Sequence, residues 1–267
     1  MGTKAVWRSG GLAVGMVLGA MAGLAVSFLS ARPPDRPTAD VHAEYIKYAS
    51  GSDSISAYIA YPERADAAPA VLVIHEIFGM SDFVRDATQR LAQRGFVALA
   101  PDLLSRRGGT PVSPDDARKL VASLNPDTIT QDLDAAATYL QGLKAVNGAK
   151  IGVIGFCWGG GESLRYAAHN QSLSAFVMCY GPVPKTYLDF ARIKATGFGV
   201  YADRDGRVTQ GVYNLVRDLH KADVDYRFRV YENTAHGFLR TREPPAAAQE
   251  AWENIISFLH TWLKNPE

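Results

Sequence analysis

Two scarcities set the first limits on this sequence: cysteine is rare, and neither sign of charge is in excess. The 267 residues include 28 basic and 27 acidic side chains, which give a formal net charge of +1. Such a balance provides no electrostatic attraction to nucleic acid, so we expect no nucleic-acid partner. Only two cysteines occur, Cys157 and Cys179, which excludes the class of small domains held together by a disulfide framework.

Charge is also absent from one long segment near the start of the chain. Residues 9–31 contain no charged side chain, Lys4 and Arg8 precede them, and a proline-rich linker over residues 32–40 follows. This pattern predicts that residues 1–31 are either a signal peptide or an N-terminal membrane anchor. The stretch can span a bilayer core of about 30 Å, and its end offers no good cleavage site, which favours the anchor. We therefore expect an exported protein, either periplasmic or membrane-anchored.

Glycine recurs at every fourth position of this segment, at Gly11, Gly15, Gly19 and Gly23. Small residues at this spacing allow two membrane helices to pack closely, which suggests a homodimer. The alternative is that glycine is simply frequent in the chain, where it occurs 24 times.

Residues 41–267 alternate between apolar runs and amphipathic patterns. The apolar runs are continuous, which predicts strands of a sheet that is covered on both faces. Strands separated by helices predict the α/β class, here one domain with a mainly parallel central sheet and helices on both faces. We expect residues 54–61 to add an antiparallel edge strand. The predicted strands are residues 70–74, 96–100, 150–154, 175–180, 197–201 and 226–231, and the predicted helices are residues 82–94, 115–123, 130–143, 160–169, 210–221 and 246–263.

The most informative motif is Gly-Phe-Cys-Trp-Gly at residues 155–159, which directly follows an apolar run. A nucleophile between two glycines, at the junction of a strand and a helix, is typical of a nucleophile elbow. In this strained turn, neighbouring side chains would collide with the strand and the helix. Here the nucleophile is Cys157. We expect the N-terminus of the following helix to lower the pKa of its thiol from about 8.5 towards neutrality.

An acid and a histidine follow the cysteine in the order that an α/β-hydrolase requires. Asp205 lies just after an apolar strand, and His236 lies in the loop after residues 226–231. His236 would act as general base and acid, and Asp205 would orient its ring. Asp203 is the alternative to Asp205. The order predicts a triad of Cys157, Asp205 and His236 in an α/β-hydrolase fold.

A second cluster follows the predicted strand 70–74, in the sequence His-Glu-Ile-Phe-Gly at residues 75–79. An α/β-hydrolase takes one oxyanion-hole N–H from such a loop and the other from the residue after the nucleophile. These backbone donors would be Ile77 and Trp158.

Four motifs together resemble the dienelactone hydrolase family, the carboxymethylenebutenolidases. They are residues 75–79, Gly-Phe-Cys-Trp-Gly-Gly at 155–160, Asp-Gly-Arg-Val at 205–208 and Ala-His-Gly-Phe at 235–238. The resemblance implies an α/β-hydrolase that cleaves enol-lactones through a cysteine, an aspartate and a histidine, without metal or cofactor. It also implies that Glu76 interacts with the resting thiol and is released when substrate binds, which governs formation of the thiolate.

The same resemblance implies two arginines that anchor the carboxylate of the substrate, a task suited to the paired donors of a guanidinium. They fall on Arg106, with Arg107 as the alternative, and on Arg240, with Arg242 as the alternative. Tyr180 resembles a tyrosine near the pocket of the family.

Three questions stay open at this stage. His75 stands where the dienelactone enzyme has a different polar residue, so the exact substrate is open between dienelactone-like lactones and neutral esters. A non-catalytic binding protein on the same fold is the alternative from a different class. Cys179 ends a strand that should neighbour the elbow, so a Cys157–Cys179 disulfide that inactivates the enzyme competes with a simply buried Cys179.

Overall fold

The computed structural model describes residues 40–263 of the protein, with the exception of Tyr187. The predictions for residues 1–31, and those for residues 32–39 of the linker, lie outside this range. Within residues 40–263, no helix is both long and apolar enough to cross a membrane.

A sheet of eight strands forms the centre of the described part of the chain. In spatial order the strands run β1-β2-β4-β3-β5-β6-β7-β8. Strands β3 to β8 run parallel to one another. Strand β2 is antiparallel to β4, and β1 is antiparallel to β2. The strands are β1 (Val41–Ser50), β2 (Asp53–Pro62), β3 (Ala68–Ile74), β4 (Val97–Pro101), β5 (Val146–Phe156), β6 (Leu173–Cys179), β7 (Thr196–Ala202) and β8 (Tyr226–Tyr231).

Helices connect the parallel strands, and local sequence sets where several of them begin. Helices α2 and α3 each start with a proline, preceded by Ser113 and Asn125, whose side chains accept hydrogen bonds from backbone N–H groups of the first turn. The helices are α1 (Asp82–Gln93), α2 (Pro114–Ala122), α3 (Pro126–Gln141), α4 (Trp158–His169), α5 (Gly206–Thr209), α6 (Val212–Lys221), α7 (Phe238–Thr241) and α8 (Pro245–Leu263).

The central strands supply two separate cores, because successive side chains of a strand point to opposite faces of the sheet. In β3, Leu72 and Ile74 belong to one core, whereas Val71 and Val73 belong to the other. Helices α3, α4 and α6 pack on the first core, and α1 and α8 pack on the second. Burial on both faces is the physical reason for the continuous apolar runs, and the structure confirms the predicted α/β class.

The structure corrects the prediction for the edge of the sheet. Residues 54–61 form most of β2, but β2 is not an edge strand, because β1 pairs with it along residues 41–50. Most residues of β1 are exposed or half-buried, so β1 lacks the continuous apolar run that marks the central strands. The predicted helix over residues 210–221 corresponds to α6, which begins two residues later, and the short helix α5 before it was not predicted.

Candidate active site

The nucleophile elbow lies at the end of β5, in the middle of the sheet. Cys157 has φ 54° and ψ −121°, which is a strained conformation for a residue with a side chain, and α4 begins at the next residue. An added Cβ at Gly155 would overlap the backbone of Gly159, and one at Gly159 would overlap the carbonyl groups of Ile74 and His75. The two glycines are therefore required by the close approach of β3, β5 and α4.

The structure brings Cys157, His236 and Asp205 into one hydrogen-bonded chain. His236 Nε2 lies 3.0 Å from Cys157 Sγ, and His236 Nδ1 lies 2.5 Å from Asp205 Oδ2. Asp205 is buried and ends the turn after β7, whereas His236 follows β8. A carboxylate accepts only, so Nδ1 carries the proton and Nε2 faces the sulfur as an acceptor. The arrangement can remove a proton from the thiol.

Asp203, the alternative acid, has a different task. Its two carboxylate oxygens accept hydrogen bonds from the backbone N–H groups of Asn233 and Thr234, each at 2.9 Å. Asp203 therefore holds the loop that leads to His236, and Asp205 holds the imidazole itself.

Two backbone N–H groups act on the sulfur. Those of Trp158 and Ile77 both favour the charged form of the Cys157 thiol. They come from the start of α4 and from the loop after β3. An oxygen that becomes negatively charged beside the sulfur would meet the same donors.

The prediction of a lowered pKa for the Cys157 thiol is wrong for the resting site. Burial raises the pKa of Cys157 above its ordinary value, and the nearby charge of Glu76 raises it further. The N–H groups of Trp158 and Ile77, together with Arg207, act in the opposite direction but are outweighed. Removing water from around a thiolate costs more free energy here than the N–H groups at the start of α4 contribute. The resting sulfur is therefore a protonated thiol.

Glu76 follows β3 directly and is 2% exposed. Burial raises the pKa of its carboxyl group to about 7, while Arg240 acts against this rise. Glu76 Oε2 lies 3.3 Å from Arg240 Nε, at the distance of an ion pair. The structure thus places Glu76 within electrostatic reach of both the thiol and Arg240.

A cavity of about 1040 Å³ is lined by Arg240 and by residues of the loops after β3 and β4, whereas Cys157, His236 and Glu76 are not among its lining residues. Arg240 links the cavity to the site, because it also pairs with Glu76. Its guanidinium also lies over the ring of Phe78, 5.6 Å from the centroid, and its side chain is 40% exposed. The other two arginines of the wall pair with exposed acids: Arg85 with Asp82 and Arg242 with Asp86.

Arg106 does not take the expected place. Its guanidinium donates to Asp132, which is 1% exposed, and also to Asp53 and to the carbonyl of Ser50. These partners lie on α3 and in the turn between β1 and β2, so Arg106 holds the two antiparallel strands to the helix. The prediction of a substrate-binding Arg106 is corrected by this ion pair, and Arg107 beside it is exposed.

Tyr180 is fully buried, and its ring meets that of His236 edge to face at 5.2 Å between centroids. Burial holds the pKa of Tyr180 well above its ordinary value, so the phenol is neutral. Tyr180 also has a positive φ of 38° directly after β6. The Tyr180 side chain therefore packs against the His236 ring of the triad.

Cys179 is a free, fully buried thiol in the core beneath the elbow. Its carbonyl accepts a hydrogen bond of 3.0 Å from the backbone N–H of Cys157. Burial raises the pKa of the Cys179 thiol well above its ordinary value. Both cysteines are reduced in this structure, and the response of the pair to oxidants stays a prediction.

A clamp that the sequence did not indicate joins two loops beside the site. The Asp102 carboxylate accepts from the N–H and the hydroxyl of Thr110, at 2.8 and 2.9 Å. The same hydroxyl accepts from the N–H of Met80 at 2.8 Å. The clamp ties the loop after β4 to the loop that carries Glu76 and Ile77. The one signal that could have indicated it is an aspartate directly after the predicted strand 96–100, in Ala-Pro-Asp-Leu at residues 100–103.

The fold and the order of these groups define an α/β-hydrolase with cysteine at its elbow. The chain belongs to the dienelactone hydrolase family, whose model matches residues 55–263.

Relatives from several bacteria agree with this membership. A protein of Methylorubrum extorquens named "Putative carboxymethylenebutenolidase" is 33% identical over 217 residues, which cover 75% of this chain and 75% of the relative. A protein of Escherichia coli K12 with the same name is 30% identical over 261 residues, or 90% of this chain and 93% of the relative. The crystal structure titled "Putative Dienelactone Hydrolase" from Klebsiella pneumoniae has a TM-score of 0.75 and 27% identity, and the match covers 84% of this chain and 98% of that one.

Proposed function

We propose that the protein is a cofactor-independent hydrolase that opens dienelactone-like, carboxylate-bearing lactones through Cys157, His236 and Asp205. One observation carries the proposal: Cys157 Sγ lies 3.0 Å from His236 Nε2. The backbone N–H groups of Trp158 and Ile77 support it, because both favour the charged form of the same sulfur. The base and the candidate oxyanion-hole donors thus both act at the nucleophile, the sulfur of Cys157.

In the first half of the proposed reaction, His236 Nε2 takes the proton of the Cys157 thiol, and the sulfur attacks the lactone carbonyl carbon. The carbonyl oxygen becomes an oxyanion that accepts from the N–H groups of Ile77 and Trp158, and each such donor is typically worth on the order of a hundredfold in rate. The ring C–O bond then breaks, and His236 gives the proton to the leaving oxygen. A thioester on Cys157 results.

In the second half, a water molecule attacks the thioester carbon while His236 removes one of its protons. The C–S bond breaks, the sulfur recovers the proton through His236, and a free carboxylic acid leaves. Asp205 keeps the Nδ1 proton in place throughout and stabilises the imidazolium form.

Arg240 is the candidate anchor for the carboxylate of the substrate. Its guanidinium is 40% exposed at the cavity and pairs with Glu76. A substrate carboxylate that binds Arg240 would compete with Glu76 for the same cation. Displacement of Glu76 would remove a negative charge from beside the sulfur, and the thiol would then ionise more readily. Substrate binding would in this way switch the nucleophile on.

The test is steady-state hydrolysis of a dienelactone carboxylate and of p-nitrophenyl acetate by the full-length protein, with Cys157→Ala as the control. We expect a higher kcat/KM for the charged lactone, lost in Cys157→Ala. In Arg240→Ala, KM for the lactone should rise at least tenfold, and KM for the neutral ester should change less than about twofold, because only the lactone bears the anchored charge. Equal changes for both substrates would reject the role of Arg240.

A second candidate is a broader carboxylesterase that acts on small neutral esters. The position of Arg106 favours it, because one of the two expected carboxylate anchors is bound to Asp132 instead. Turnover of only the neutral ester would select this candidate. A non-catalytic binding protein would be selected if neither substrate showed turnover dependent on Cys157.

We also propose that the hydrolase acts outside the cytoplasm, in the periplasm or anchored to the membrane. The uncharged residues 9–31 after Lys4 and Arg8 support this. Cell fractionation should find the full-length chain in the membrane if the segment is an anchor, and a shortened soluble chain if it is a cleaved signal. A full-length chain in the cytoplasmic fraction would reject export.

A further inference from the structure

His75 is a fully buried histidine between the end of β3 and Glu76, and the reaction described above gives it no task. Its Nδ1 lies 2.7 Å from the backbone carbonyl oxygen of Glu76. A carbonyl oxygen only accepts, so Nδ1–H is the donor and His75 is in the tautomer with Nε2 unprotonated. Burial lowers the pKa of His75, which agrees with a neutral ring.

The Glu76 carbonyl and the Ile77 N–H belong to the same peptide group. This group is planar, and its C=O and N–H point in opposite directions, so a bond that fixes the oxygen also fixes the N–H. The Ile77 N–H is one of the two backbone N–H groups that favour the charged form of Cys157. The Glu76 carbonyl also accepts from the N–H of Gly79, but at the longer distance of 3.3 Å. The His75 bond is therefore the shorter of the two that hold this peptide.

The ring of His75 also contacts the residue that supplies the second donor. It stacks on the indole of Trp158, with 5.4 Å between centroids and 25° between the planes. Trp158 opens α4 directly after the nucleophile. The His75 side chain thus donates to the Glu76–Ile77 peptide, which carries one of the two N–H groups, and packs against Trp158, which carries the other.

We propose that His75 is a positioning residue of the oxyanion hole: its Nδ1–H sets the plane of the Glu76–Ile77 peptide so that the Ile77 N–H points at the reaction centre. The inference rests on the proposed function for its effect on turnover. The orientation of the peptide also acts on the resting thiol, because the same N–H favours the charged form of Cys157.

His75 Nε2 is buried and has no hydrogen-bond partner among the residues that the structure describes. Among these residues, the His75 ring therefore makes one hydrogen bond, from Nδ1–H to the Glu76 carbonyl. A histidine kept only for packing would be replaceable by phenylalanine, which has a ring of similar size and can stack on Trp158 in the same way. The positioning role requires a donor at the Nδ1 position.

Three variants separate these roles. His75→Phe keeps the ring and removes the donor. His75→Asn loses the stacking but places an amide N–H at the position of Nδ1. His75→Gln keeps an amide but moves it one carbon farther along the side chain, away from the Glu76 carbonyl. For each variant, kcat and KM for p-nitrophenyl acetate and the pH profile of Cys157 alkylation by iodoacetamide are measured.

We expect kcat to fall at least tenfold in His75→Phe and His75→Gln, with KM changed less than about twofold, because the oxyanion exists only during the reaction. His75→Asn should recover to within about threefold of wild type. The midpoint of alkylation should move to higher pH in His75→Phe and His75→Gln and return in His75→Asn, because the Ile77 N–H stabilises the thiolate.

Wild-type kcat in His75→Phe, or equal losses in His75→Asn and His75→Gln, would overturn the inference. If His75→Phe fails to fold, the Asn and Gln pair decides, because both carry the same amide. If wild-type protein shows no hydrolysis that depends on Cys157, the proposed function fails instead. The alkylation midpoints then still support or reject the positioning role of His75.

Discussion

Glu76 Oε2 lies 3.3 Å from Arg240 Nε, and this pair connects the cavity to the nucleophile. The negative charge of Glu76 raises the pKa of Cys157, and the positive charge of Arg240 opposes the rise in the pKa of Glu76. We therefore expect a ligand that binds Arg240 to act on the sulfur through Glu76.

Replacement of Glu76 by glutamine should make the resting thiol more reactive. Above about pH 7 the wild-type carboxyl is ionised and raises the thiol pKa, and glutamine removes this charge at all pH values. The midpoint of Cys157 alkylation by iodoacetamide should thus move to lower pH. The groups that remain around the sulfur are His236, Tyr180 and Arg207.

Glu162→Gln is the matched control for that experiment. Glu162 is a buried glutamate on α4 whose carboxylate pairs with Arg165 rather than with Arg240. It should leave the alkylation midpoint in place. A midpoint that does not move in Glu76→Gln would show that Glu76 does not control the thiol.

Asp205→Asn should lower kcat far more than Asp203→Asn. An amide at position 205 can donate to His236 Nδ1, which moves the ring proton to Nε2 and leaves no base facing the thiol. We expect a loss of about a hundredfold or more. Asp203→Asn keeps one oxygen for the loop 233–234 and should cost less than about tenfold. Kinetics of both variants, with thermal unfolding to verify the fold, check this order, and equal losses would reject the assignment of the acid.

Arg106→Gln should change stability rather than substrate binding. It leaves the carboxylate of Asp132, 1% exposed, without its guanidinium partner. An uncompensated buried charge of this kind costs roughly 3 kcal/mol of the free energy of unfolding. Urea unfolding measures the loss, and the exposed Arg107→Gln is the control. A selective rise in KM for the charged lactone would instead restore Arg106 to the substrate site.

Thr110→Val tests the clamp between the two loops. Valine keeps the branched shape but leaves the Met80 N–H without its acceptor and removes one donor from Asp102. An unsatisfied buried polar group costs about 1–3 kcal/mol of the free energy of unfolding. Because the same loop carries Ile77, we also expect a severalfold lower kcat. Thr110→Ser retains the hydroxyl and should behave like wild type. Equal effects of Val and Ser would reject the clamp.

The sequence predicted the parallel strands and the triad because both leave strong local signals. Strands buried on both faces read as continuous apolar runs, and Cys157 and Asp205 each follow one of them. His236 follows β8, whose apolar residues are interrupted by Arg227 and Arg229, and was predicted from its order after the other two. Strand β1 left no such signal, because it lies at the edge and most of its residues are exposed or half-buried. The partners of Arg106 and His75 were not predicted for another reason, since they depend on contacts that no short motif records.

Sequence alone therefore determined the fold class, the elbow and the order of the catalytic groups, because a strained turn demands its glycines wherever it occurs. Only the tertiary structure decided the charge state of the thiol, the partner of each arginine and the bond from His75 to the Glu76 carbonyl. These depend on burial and on distances of a few ångströms between segments far apart in the chain. Desolvation and Coulomb energies vary steeply over such distances, and residue spacing does not determine them.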